Sequence, residues 1–222
     1  MKGIIILVSL FALIPFHGQA QNKDYSDYLL ELEKSRIEFG VQFTKAENKG
    51  SVISGAREFL LNSYQNIFEY WYGTKWDFNG TSRVPGEGSI ACGYFVTNTL
   101  VDLGFNIPRI KWAQSASEVF ISKLAERKDI KRFSNRPVSE IRKYLLFAGR
   151  GIYLVGLDQH VGFVLVDSNK MSFIHPSYYY PEKGVMSETL NSENPFKHSK
   201  YRVIGKLFSD KMVINWMNKT AY

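Results

Sequence analysis

Apolar side chains recur at helical spacing through the first two thirds of the chain and at strand spacing through most of the rest. Between Asp24 and Glu47, the positions Tyr28, Leu29, Leu32, Ile37 and Phe43 return every few residues and predict a helix. The polar break Asn48-Lys49-Gly50-Ser51 separates it from a second helix, Val52 to Tyr70, carrying Phe59, Leu60, Tyr64, Ile67 and Phe68. A glycine-rich stretch from Tyr72 to Ser89 reads as a long loop. Helical spacing resumes at Cys92 and runs to Leu103, with Gly104 as its stop; further helices are expected at Ser115–Arg127 and Val138–Leu146. The pattern then shortens. Gly151–Gly156, Val161–Val166 and Met171–Ile174 are compact runs rich in Val, Ile, Tyr and Phe, and read as strands. Tyr201–Phe208 predicts one more strand and Met212–Met217 a terminal helix. Helices followed by consecutive strands predict an α+β fold, with N-terminal helices packed on a small antiparallel sheet.

The first twenty residues carry a different signal. A basic Met1-Lys2-Gly3, an apolar run from Ile4 to Phe16 and the small-residue end Gly18-Gln19-Ala20 read as a secretory signal peptide, with Gln21 as the new N-terminus. The expectation is export across an inner membrane to a periplasmic or extracellular location, without a transmembrane segment. Residues 21–222 are then read as one domain, long enough to bury a core and rich in aromatics for it: 16 Phe, 13 Tyr and 4 Trp. The formal charge is +7. It is spread along the chain, contains no nucleic-acid motif, and suits an anionic wall or membrane surface or a plain solvated basic face.

A single cysteine excludes an internal disulfide and turns attention to Cys92 itself. The run Val84-Pro85-Gly86-Glu87-Gly88-Ser89-Ile90-Ala91-Cys92-Gly93 places it where a loop breaks into a helix, with Ser89 as the expected N-cap. Free backbone N–H groups there favour a thiolate and can receive an oxyanion, so a depressed thiol pKa is expected. Small neighbours, Ala91 and Gly93, leave room for a substrate carbonyl. His160 opens one strand and His175 closes the next. If Val166 pairs with Met171, Gly162 lies opposite His175 and the two imidazoles share a sheet face. That register predicts His160 as general base and His175 as its orienting partner. A one-residue slip would separate them. His198 lies in a polar stretch, and no spacing of His, Cys or carboxylates suggests a metal; no cofactor is expected.

Those same residues resemble the NlpC-type cell-wall cysteine peptidases of the papain-like superfamily. The resemblance rests on Tyr70-Trp71-Tyr72-Gly73, the Cys92-Gly93 pair opening an apolar helix, Leu103-Gly104-Phe105 with Pro108-Arg109 beyond, His160-Val161-Gly162 and Phe173-Ile174-His175. It spans roughly residues 70–177. It implies a papain-like fold and hydrolysis of peptidoglycan stem peptides, with Cys92 as nucleophile, His160 as base and His175 as orienting residue. Tyr72 and Trp76 are the expected cleft wall and Gln114 an expected oxyanion donor. Where the family usually has Asp-Cys-Ser, this chain has Ala91-Cys92-Gly93, and Trp76–Glu87 reads as an insertion. The same catalytic unit acting on another amide or an ester, and a non-catalytic wall-binding module, are the alternative readings.

Overall fold

The computed structural model describes residues 17–168 and 170–222. Of the leader read at residues 1–20, residues 1–16 lie outside the described residues and 17–20 open the first helix. Two long helices, α1 (His17–Lys45) and α2 (Lys49–Trp71), are separated at the polar break, where the Asn48 side chain accepts from the Ser51 amide. The next segment is not a plain loop. It contains two short strands, β1 (Lys75–Trp76) and β2 (Ser89–Ile90), paired in parallel.

Three short helices follow: α3 (Cys92–Asp102), α4 (Arg109–Ala113) and α5 (Ser117–Leu124). The single helix expected over 115–127 is thus shorter, and α4 precedes it. Strand β3 (Ile130–Ser134) and helix α6 (Val138–Ala148) lead into the hairpins β4 (Gly151–Leu157), β5 (Val161–Asp167), β6 (Lys170–Pro176) and β7 (Val185–Thr189). The chain ends with α7 (Pro195–His198), β8 (Tyr201–Lys206) and α8 (Asp210–Met217), the last capped by the Ser209 side chain.

Among the described residues this is an α+β architecture around one six-stranded antiparallel sheet, ordered β3-β8-β4-β5-β6-β7. Every residue of β4 is buried, because helices cover both faces of the sheet. Alternation sorts the side chains. Ile152, Leu154, Phe163 and Ile174 meet Leu60, Tyr64, Phe95 and Trp216 on one face. Tyr153, Val155, Val164 and Phe173 meet Ile141, Leu145 and Phe196 on the other. No described helix is long and apolar enough to cross a membrane.

The N-terminal helices are built into this core and hold α3 in place. Tyr25 of α1 donates to the Asp102 carboxylate (2.8 Å) and receives the Trp71 indole N–H (3.1 Å). Arg83 reaches the other Asp102 oxygen at 2.9 Å, and Tyr64 of α2 pairs with Thr99 at 3.0 Å. Buried polar groups satisfied on every side fix a helix in one position more strictly than apolar contact alone. The helix so fixed begins at Cys92.

Candidate active site

Cys92 is the first residue of α3, and the residue before it, Ala91, offers no capping side chain. Ser89 is not the N-cap that the sequence suggested. Its backbone is committed to β2, pairing with Lys75 and accepting from the Ser82 amide, so the helix starts three residues later. The consequence is chemical: no hydroxyl competes for the first N–H groups of the helix, which are left for a ligand or for the sulfur. The backbone N–H groups of Val161, Gly93 and Cys92 all bear on the thiol.

The thiol is nevertheless not acidic at rest. Burial pushes the Cys92 pKa up from its ordinary 9.0 and outweighs those three amides, which pull it down. The helix dipole alone predicts the opposite shift, because the desolvation cost is set by tertiary packing. Cys92 is half-buried and packs against the core beneath α3.

Gly93 is required by packing. A Cβ there would lie 2.1 Å from the carbonyl oxygen of Ala113, at the end of α4. Gly93→Ala is therefore expected to destabilise the fold by about 3 kcal/mol, because the obstacle is backbone and cannot rotate away. A denaturant midpoint no different from the parent's would contradict this contact.

The β4–β5 turn delivers His160. Leu157 N–H donates to the His160 carbonyl at 2.8 Å, and the turn is pinned by Asp158, whose carboxylate accepts from the amides of Lys200 (2.7 Å) and Tyr201 (2.9 Å). The β5–β6 register is the one expected: Val166 faces Met171 and Phe163 faces Ile174, which brings Gly162 level with His175. A Cβ at Gly162 would sit 2.9 Å from the His175 Cβ, so glycine permits this close approach. The outcome is a hydrogen bond from ring to ring, His160 Nε2 to His175 Nδ1, at 2.9 Å with the planes 87° apart.

Two neighbours of this pair were not legible in the sequence. Glu188 on β7 places a carboxylate oxygen 2.8 Å from His175 Nε2. Tyr178, in the connection from β6 to β7, sets its ring edge-on to His160 with centroids 5.2 Å apart. Their only sequence signal was a polar residue and an aromatic shortly after His175. Both histidines are held neutral. Burial lowers His160 well below its ordinary 6.5, and charge on His175 lowers it further. Burial also lowers His175, opposed by the Glu188 hydrogen bond and charge.

Cys92 and His160 both border a cavity of about 500 Å³. Trp76, Phe78, Tyr94 and Tyr178 form its aromatic walls, with Asn79, Gln114 and Gln159 as amide groups. Its described lining contains no Lys, Arg, Asp or Glu. A second cavity, about 240 Å³, continues past the same two residues toward Ser117, Phe120 and Leu157. The pair thus stands between two clefts, the layout a linear substrate needs to run across a nucleophile. Trp76 lines this cavity, and its buried indole Nε1 lacks a protein partner. Gln114 also lines the cavity and donates to the Tyr94 hydroxyl at 3.1 Å. Tyr72 does not line it. As the residue ending α2, it packs on the core, and its phenol, pushed up by burial, lies against Ser187.

A somewhat larger cavity, about 560 Å³, lies elsewhere, between α2 and the start of α8. Arg57 pairs there with Asp210, Arg150 with Glu58 and Lys128 with Glu126, and its lining contains neither Cys nor His. No group of three or more His, Cys, Asp or Glu that could hold a metal ion occurs among the described residues. No protein-family model, no curated protein and no solved structure matches the chain.

Proposed function

We propose that the chain is a papain-like cysteine hydrolase that cleaves an amide bond, with peptidoglycan stem peptides as substrate and the cell envelope as its place of work. The observation that carries the reading is the convergence of Cys92, at an uncapped helix start, and His160 on one cleft. His160 Nε2 is engaged by His175, leaving Nδ1 for the thiol proton.

The resting pair is a neutral thiol beside a neutral imidazole. Proton transfer to His160 therefore accompanies attack on the carbonyl and does not precede it. The sulfur bonds to the carbonyl carbon, and the oxygen takes the charge against the α3 N–H groups. Collapse expels the amine, which leaves with the proton held by His160, and a thioester remains on Cys92. Water attacks the thioester with His160 again as base, releasing the acid and restoring the thiol. The aromatic, uncharged walls suit a neutral segment around the scissile bond and keep water from it.

That lack of charge also favours a second reading, an apolar ester or side-chain amide turned over by the same residues. Purified protein incubated with peptidoglycan fragments, and in parallel with acyl nitrophenyl esters, separates the two. The expected result is cleavage of a single stem amide, seen by mass spectrometry as a new amine and a new acid. Ester turnover with intact stem peptides would move the assignment to the second reading. Inertness toward both, together with a Cys92 that iodoacetamide does not alkylate, would leave a binding module.

A further inference from the structure

We propose that Glu188 is a positioning residue that sets the tautomers of both histidines, so that His160 presents an unprotonated Nδ1 to Cys92. The inference rests on the reading of Cys92 and His160 as nucleophile and base.

Glu188 lies on β7, at the edge of the sheet. On β7, Glu188 pairs in register with Phe173, while His175 pairs with Met186. An edge strand ordinarily turns its charged side chains to solvent. Glu188 instead leans along β6 to reach His175, and its side chain is only 9% exposed against 0% for the histidine. Taking a carboxylate out of water is costly unless it is paired, so a role for the pair is needed to explain its place.

Hydrogen-bond chemistry supplies the role. A carboxylate accepts and does not donate, so the 2.8 Å contact requires the proton on His175 Nε2. A neutral imidazole with Nε2–H has a lone pair at Nδ1. The 2.9 Å contact then requires His160 to donate from its own Nε2. A neutral His160 protonated at Nε2 has a lone pair at Nδ1, which is the form a base for the thiol must take. Each link fixes the next, and Glu188 is the side chain of fixed polarity that starts the chain; the Pro176 carbonyl also bears on the His175 ring, but only Glu188 brings a full charge to it. Without it, both rings can flip tautomer together, keeping the bond between them while placing a proton on His160 Nδ1, the nitrogen proposed to take the thiol proton.

The test reads tautomers directly, on the whole protein labelled with 15N-histidine, by two-bond 1H–15N correlation near pH 7.5. The expected wild-type spectrum shows Nε2–H on both His160 and His175. Glu188→Gln keeps an accepting oxygen, so both tautomers should persist and Cys92 alkylation by iodoacetamide should stay within about threefold of wild type. Glu188→Leu removes the acceptor. There His160 should show Nδ1–H in a sizeable fraction, and alkylation should slow by about tenfold or more at unchanged secondary structure. A merely structural Glu188 would lower the melting temperature in both variants without moving either tautomer, and that result would overturn the proposal. So would Nδ1–H on His160 in the wild type, a measurement that needs no variant to fold. Failure of the substrate assignment is separate: stem peptides left intact by a protein with the expected tautomers would refute the proposed substrate and spare this inference.

Discussion

Cys92→Ser is expected to lose at least about a thousandfold in turnover while melting at nearly the parent temperature. The two side chains are close in size, and the site at the start of α3 is open on the cleft side, so packing changes little. Nucleophilicity changes greatly. A hydroxyl is far harder to deprotonate than a thiol, and His160 is a weak base because burial depresses its pKa. A base able to take a proton from sulfur in this setting fails against oxygen. Single-turnover assays on peptidoglycan fragments, with circular dichroism on the same preparation, check both halves. Near-parental turnover by the purified serine variant would remove the cysteine mechanism.

His160→Ala is expected to cost about a hundredfold to ten-thousandfold in turnover, the usual range for loss of a general base. The pH dependence carries more information than the loss. Because the His160 pKa lies well below 6.5, the imidazole stays unprotonated in mildly acid solution. Wild-type turnover should hold as pH falls past 6.5 and drop only below that, and the variant should lose this acid limb. Stability follows the same shift. A histidine whose folded pKa is depressed adds stability that is fully present above 6.5 and is lost as pH falls toward the folded value. The alanine variant should therefore lose less stability than wild type between neutral and acid pH, measured as denaturant midpoints at each pH. An acid limb unchanged by the substitution would mean that some other group takes the proton.

Much of the sheet and part of the site could be read from the chain. The β5–β6 register followed from two apolar runs and a short polar turn, because a buried face punishes any slip by a whole residue. That register by itself places His160 and His175 on one face of the sheet. The edge strands were not legible. Ile130-Lys131-Arg132-Phe133-Ser134 and Val185-Met186-Ser187-Glu188-Thr189 carry few apolar residues, since one side of each faces solvent, and so lack the pattern of a buried strand. Glu188 was lost with its strand. The raised thiol pKa is hidden for a different reason: the helix start is visible in sequence, but the burial that opposes it comes from residues far away in the chain. Ser89 misled because its local preference for a cap yielded to pairing with Lys75, a contact made by tertiary structure.

The position of β8 bears on how the molecule is made. Chain order places it last among the strands, yet it lies between β3 and β4, hydrogen-bonded to both. A chain emerging from the ribosome can close the β4–β5–β6–β7 meander early, but one side of β4, a strand buried at every position, stays bare until residues 201–206 arrive. The same interval leaves β3 without a partner, and α8, whose Trp216 donates to the Leu103 carbonyl at 2.8 Å, has yet to lock α3. Pairing across such sequence distances is slow, and an open apolar edge invites other chains. A nascent chain therefore keeps that edge open until residues 201–206 are made, and a truncation before β8 is expected to aggregate.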